Sequence, residues 1–208
     1  MSVKTADFFY TIDKPSIAEF KDKGSKFIGY AYPIKTTDEF KIKLQEVKSS
    51  HPKASHHCFA YRMGLDNNIY RVGDDGEPSG SAGRPILNAI DGREITDALV
   101  IVVRYFGGTL LGIPGLINAY KTTASLSLQT TPIIQKPILK LFELQFDYTQ
   151  TNVIMAIAKQ LNCEIFQSEA QLFAVMKIGV IQSKEAEFLH KLSEYHTIVV
   201  KKINPTVK

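Results

Sequence analysis

Cysteine is scarce: Cys58 and Cys163 are the only two in 208 residues. Their spacing excludes a disulfide framework and a zinc knuckle, and two lone thiols fit a reducing compartment. No run approaches the roughly 18 apolar residues of a spanning helix. The best candidate, Ala98–Phe106, is broken by Arg104, so no membrane association is expected. The first ten residues carry Lys4 and Asp7 and lack the apolar centre of an export signal, so a cytoplasmic location is expected. Charge of one sign is also in short supply. The net charge is +4, far below that of a strongly basic nucleic-acid binder. Neither Walker A nor Gly-x-Gly-x-x-Gly occurs, so no nucleotide cofactor is expected. With 44% apolar and 22% charged residues, the composition excludes disorder for the chain as a whole.

What charge there is sits unevenly. The whole surplus, and all five arginines, fall within residues 1–140, and the remainder is balanced. Glycine is more lopsided still, with ten of thirteen between Gly64 and Gly115. Such a cluster marks elaborate loops and close backbone approaches.

Around these loops the periodicities predict regular structure. Ser16–Phe20 and Lys26–Tyr32 read as strands turned at Lys23-Gly24-Ser25. Thr36 and Glu39 form a capping box that opens a helix to about Ser49, with Phe40, Leu44 and Val47 as its apolar stripe. Ala54–Met63 and Asn68–Val72 read as strands joined by the turn Gly64–Asn67. Ser81 is the expected N-cap of a short helix to Ile90. Asp97–Phe106 holds the β-branched run Leu99-Val100-Ile101-Val102-Val103, suited to a doubly buried strand. A helix follows from about Pro114 to Leu128.

Domain boundaries are expected at 1–131, a proline-bearing linker at 132–140, and 141–208. Beyond the linker the order is strand 141–148, helix 151–161, strand 163–167, turn 168–171, strand 172–180, helix 184–195 and strand 197–203. This βαββαβ order is the ferredoxin-like arrangement. Phe142 and Phe146 read as its core rather than as a base-stacking platform.

Three segments carry candidate chemistry. In Asp74-Asp75-Gly76-Glu77, Asp75 or Glu77 has the chemistry of a general base, or the carboxylates simply hold a tight loop. Farther along, Arg84 stands beside the start of a helix, where free N–H groups favour anions. Arg104-Tyr105-Phe106-Gly107-Gly108 ends the buried strand, and ligands gather at strand ends in α/β layers. Tyr105 and Phe106 must point oppositely, so at most one faces a ligand. In His56-His57-Cys58, His56 and Cys58 share one face of a strand and His57 takes the other. Two ligands make no zinc site, and Cys58 reads as a small buried hydrophobe rather than a nucleophile.

Taken together, the motifs Lys23-Gly24-Ser25-Lys26-Phe27-Ile28, His51-Pro52-x-Ala54-x-His56-His57-Cys58, Asp74-Asp75-Gly76-Glu77-Pro78-x-Gly80-x-Ala82-Gly83 and Arg104-Tyr105-Phe106-Gly107-Gly108-x-x-Leu111-Gly112 resemble the IMPACT family, also called the YigZ or UPF0029 family, in its bacterial two-domain form. The resemblance implies an α+β fold: an N-terminal domain like domain 2 of ribosomal protein S5, and a C-terminal ferredoxin-like domain like domain V of elongation factor G. It implies translation regulation through RNA or the ribosome. The RWD domain of eukaryotic relatives is not expected before residue 16, so partner binding through it is not carried over. Arg84, Arg104 and Lys121 are expected to contact phosphate, Gly107, Gly108 and Gly112 to admit backbone approach, and His56 and His57 to add polar contacts. The alternative is a hydrolase or transferase that acts on a small anion through Asp75, Glu77, His56 or His57 beside the Gly107-Gly108 loop. The chain departs from the family pattern at Pro114, where a glycine is usual, and at Asn118, where a base is usual.

Overall fold

The computed structural model describes residues 6–65, 68–170 and 174–203, with backbone alone for 168–170. The chain runs β1 (Phe8–Ile12), β2 (Ser16–Asp22), β3 (Ser25–Pro33), α1 (Thr37–Ser50), β4 (His56–Met63), β5 (Ile69–Gly73), α2 (Gly83–Asp91), β6 (Ala98–Tyr105) and α3 (Gly112–Gln129). It continues with β7 (Ile133–Pro137), β8 (Leu139–Phe146), α4 (Thr151–Gln160), β9 (Glu164–Ala170), β10 (Ala174–Ile181), α5 (Glu185–Ser193) and β11 (Val199–Ile203). The turns expected at 64–67 and 168–171 run into positions outside the described residues.

Two compact units result. One holds Tyr10–Gln135; the other holds Lys136 onward together with the chain up to Phe9. In the first unit, five strands form an antiparallel sheet in the order β2-β3-β6-β4-β5. Strand β6 is central, and every residue from Ala98 to Arg104 is buried. Its alternation feeds two cores. Leu99, Ile101 and Val103 pack with Phe40 and Val47 of α1. Ala98, Val100 and Val102 pack with Ile86 and Leu87 of α2 and Ala119 and Tyr120 of α3. Each large apolar side chain buried this way contributes roughly 1.5–3 kcal/mol.

The helix starts show local chemistry at work. Thr36 caps α1, its hydroxyl accepting from Glu39 N at 3.1 Å. The Glu39 carboxylate returns to Lys35 N at 2.6 Å. Helix α2 differs from expectation. Ser81 donates to Pro78 O, and the cap residue is Ala82, which has no side-chain bond to give. Asp74 substitutes from outside the helix, taking Ala82 N and Gly83 N on Oδ1 at 3.1 and 2.8 Å and Gly80 N on Oδ2 at 2.9 Å. Helix α3 begins at Gly112, with Pro114 in its first turn, where a missing N–H breaks no helix bond.

In the second unit, β11-β8-β10-β9 is antiparallel throughout. Phe142, Leu144 and Phe146 of β8 and Met176, Ile178 and Val180 of β10 share one core with Ile154 of α4 and Phe188 of α5. Both helices therefore cover the same face. The proline-bearing stretch 132–140 carries β7 and the first residues of β8, and β7 pairs with β1 in a separate two-stranded sheet. Pro137 is tolerated because it ends that two-stranded ribbon, where no ladder continues to need its N–H. No described helix is long and apolar enough to cross a membrane.

Candidate functional site

Sheet register gathers the three motif segments at one end of the first unit. His56 on β4 lies opposite Arg104 on β6, and Cys58 lies opposite Val102. His56, Cys58 and Arg104 thus share the α2/α3 face, and His57 turns to the α1 face. The 74–83 loop folds over that end. His56 Nδ1 donates to Asp75 O at 2.8 Å, and the Asp75 carboxylate accepts from His57 N at 2.6 Å. Asp75 also stands 3.5 Å from Lys48 Nζ. His57 Nε2 donates to His51 O at 3.1 Å.

Glu77 is the hinge of the arrangement. Its Oε1 accepts from Arg104 Nη1 at 2.6 Å and from the Tyr120 hydroxyl at 2.7 Å. The Arg104 and Glu77 side chains are only 6% and 3% exposed. Arg104 also lies over the Phe27 ring at 5.5 Å. Cys58 closes the network, 3.4 Å from the Tyr120 hydroxyl and 3.0 Å from Asp74 O. Burial pushes the Cys58 thiol far above the usual thiol range, and burial also drives the Tyr120 phenol up. Cys58 therefore stays a thiol at neutral pH and is no nucleophile.

The sequence-expected residues divide by place. Arg104 is committed to Glu77 inside the protein, so its charge is not offered to phosphate. A Cβ on Gly107 would lie 1.9 Å from the Gly24 carbonyl carbon, so this glycine makes room for the chain's own β2–β3 turn. Gly108, at φ +85°, faces open space, and Gly112, at φ +71°, opens α3. Arg84 and Lys121 are exposed on α2 and α3. Asp74, Asp75 and Glu77 diverge onto separate partners, and among the described residues no three His, Cys, Asp or Glu side chains gather as a metal site.

Sequence reasoning missed two things. The first is Tyr120, which reads as an ordinary helix residue and reaches Glu77 only through the packing of α3 on the sheet. The second is a recess of about 340 Å³. Its floor is His56, Glu77 and Arg104, and its walls include Phe106, Leu110 and Ile113. Leu110 is 83% exposed and Phe106 48% exposed. An exposed leucine following Gly107-Gly108 was the available signal. The basic β2–β3 turn lies alongside. Lys26 pairs in register with Tyr105, and Gly107 N donates to Ser25 Oγ at 3.2 Å.

The fold and this end of the sheet define a class: two-unit α+β chains in which a Gly-Gly loop, a His-His-Cys strand and an acidic glycine loop meet. Comparison with known proteins gives the family. The Impact N-terminal domain covers residues 23–128. The IMPACT family member YigZ of Escherichia coli (strain K12) is 34% identical over 175 residues, which is 83% of this chain and 86% of that protein. An IMPACT family member of Haemophilus influenzae is 31% identical over 188 residues, 89% of this chain and 91% of its own. The crystal structure of a hypothetical protein matches with a TM-score of 0.73 at 30% identity, covering 96% of this chain and 99% of that one. The chain belongs to the IMPACT family.

Proposed function

We propose that this protein binds single-stranded RNA, ribosomal RNA included, and acts in translation regulation from the cytoplasm. The observation that carries the reading is the half-exposed Phe106 ring, backed by the Arg104 guanidinium at 5.5 Å and next to the Gly107 loop on which the β2–β3 turn packs. Single strands are held by stacking on aromatic rings and by nearby cations. Lys23 of the β2–β3 turn, whose Gly24 packs on Gly107, supplies a nearby cation; Lys21 and Lys26 stand on the α1 face with Tyr105, where Glu19 answers Lys26 at 2.6 Å and Lys21 at 3.3 Å. Asp22 offsets them further, so stacking carries more of the affinity than charge does. The exposure of Arg84 and Lys121 supports keeping them as outer phosphate contacts. Gly108 lets a strand approach, and Arg104 acts from beneath Phe106.

Binding is favoured over turnover because each carboxylate an enzyme would use is anchored by the chain itself: Asp75 by His57 N–H, and Glu77, through Oε1, by Arg104 and Tyr120. The fold reading agrees. The strand order β11-β8-β10-β9 and the βαββαβ sequence support a ferredoxin-like second domain comparable to domain V of elongation factor G. The helix-covered five-stranded sheet is read as the S5 domain 2-like partner, with the domains divided near residues 132–140.

Fluorescence anisotropy on a labelled single-stranded RNA tests the proposal. Phe106→Ala is expected to weaken binding by roughly 1–3 kcal/mol without lowering the melting temperature. Raising salt should weaken binding with a shallow slope, because few phosphates are neutralised. Unchanged affinity in Phe106→Ala would overturn it.

A further inference from the structure

We propose that the recess beneath Phe106 seats one unstacked RNA base, and that it selects bases carrying an exocyclic amino group. This rests on the RNA-binding reading and narrows it to a ligand chemistry. At about 340 Å³ the recess lies at the small end of ligand sites, matching one planar heterocycle rather than an extended molecule. A base has two apolar faces and a polar edge, and splayed-out bases are held by stacking on the faces and hydrogen bonds to the edge. The recess has the complementary distribution. Phe106, Leu110 and Ile113 are apolar and exposed at the mouth, and the polar groups are confined to the floor.

The floor is specific about what it accepts. Glu77 Oε1 already takes two hydrogens, from Arg104 and Tyr120, whereas Oε2 has no hydrogen-bond partner among the described residues. A carboxylate 3% exposed with one free oxygen in a recess is a standing acceptor. His56 lines the floor beside it, its Nδ1 hydrogen spent on Asp75 O and its Nε2 3.8 Å from Glu77 Oε1. A free carboxylate oxygen at the foot of an apolar slot suits an NH₂ group. Arg104, on the same floor, holds the carboxylate in place through Oε1 and is not itself a base contact. Uracil has no amino group to offer.

The test compares labelled oligo(rA), oligo(rC) and oligo(rU), each about six nucleotides long, by anisotropy at one salt concentration. Oligo(rA) and oligo(rC) are expected to bind about tenfold or more tighter than oligo(rU). Glu77→Gln should shrink that preference by replacing an acceptor with an amide donor. Because Glu77 also supports Arg104, a second variant guards against misfolding. Ile113→Trp, at an exposed position in the first turn of α3, should obstruct the recess and erase the difference between oligo(rA) and oligo(rU) without lowering the melting temperature. Equal affinities for the three oligomers, or a preference that survives Ile113→Trp, would overturn the base-seating proposal and leave RNA binding standing. No binding to any oligomer would overturn both.

Discussion

Floor and rim of the recess are built from the same motif segments and obey different physics. Glu77 and Arg104 are sealed at 3% and 6% side-chain exposure; Leu110 and Phe106, a few residues along from Arg104, stand 83% and 48% exposed. A charge at the floor is held by its internal partners and answers to desolvation. An apolar group at the rim keeps one side open to solvent and answers to whatever arrives. The most chemically suggestive residues of the sequence are thus the ones the fold has already used, and the least suggestive ones face outward.

The sharpest way to break that division is to remove a floor charge. Arg104→Ala leaves the Glu77 carboxylate buried without its counter-ion, and loss of one member of a buried pair typically costs about 3–5 kcal/mol. Urea unfolding should show a loss of that size. The size of the loss decides the role. A loss below about 1 kcal/mol is what an exposed ion pair gives, and it would mean that Arg104 is free to serve a ligand.

The Gly107-Gly108 pair sets the same contrast within one dipeptide. A methyl group on Gly107 would meet the Gly24 backbone at 1.9 Å, whereas one on Gly108 would meet nothing within 4 Å. Gly107→Ala must therefore push two backbone segments apart, at roughly 1–3 kcal/mol or more. Gly108→Ala suffers only from its φ of +85°, a penalty of about 1–2 kcal/mol. Thermal melts of the two variants should rank in that order. The reverse ranking would mean that the loop does not close on the β2–β3 turn.

Much of this was legible in the residues. The β-branched run of β6, the Thr36–Glu39 box and the alternation beyond residue 140 fix their elements through local rules, and the structure follows them to within a few positions. The facing of His56 and Cys58 on one side and His57 on the other follows from strand period alone. What local rules do not carry is long-range pairing. Strand β1 and its partner β7 were not legible, because two five-residue strands lying more than a hundred positions apart give no signal until they meet. The same is true of Asp74 as the cap of α2, of Gly107 as a spacer for Gly24, and of Tyr120 as a ligand of Glu77. Arg104 illustrates the cause. A lone arginine ending a buried strand reads as an anion contact, and only the three-dimensional position of Glu77 shows that the anion is internal.

The smallest expected effect lies on the opposite, α1 face of the sheet, where a titratable group is neither sealed nor free. His51 accepts or donates on both ring nitrogens, Nε2 lying 2.5 Å from the Tyr30 hydroxyl and Nδ1 2.8 Å from the Tyr105 hydroxyl. Partial burial holds its pKa below the ordinary 6.5, with His57 and Lys26 adding to the shift. The folded protein therefore resists protonating this ring more than the unfolded chain does. Its contribution is present above the unfolded value and is lost as pH falls below about 6.5 and on through the lower folded value. Melting temperatures at about pH 7.5 and about pH 5.5 should fall further in the unaltered protein than in His51→Gln, which keeps a hydrogen-bonding side chain and does not titrate there. His56, His190 and His196 are common to both proteins and drop out of the difference. An equal fall in both would show that the Tyr30–His51–Tyr105 bridge is as wet as the rim, and that the sheet is guarded on one face only.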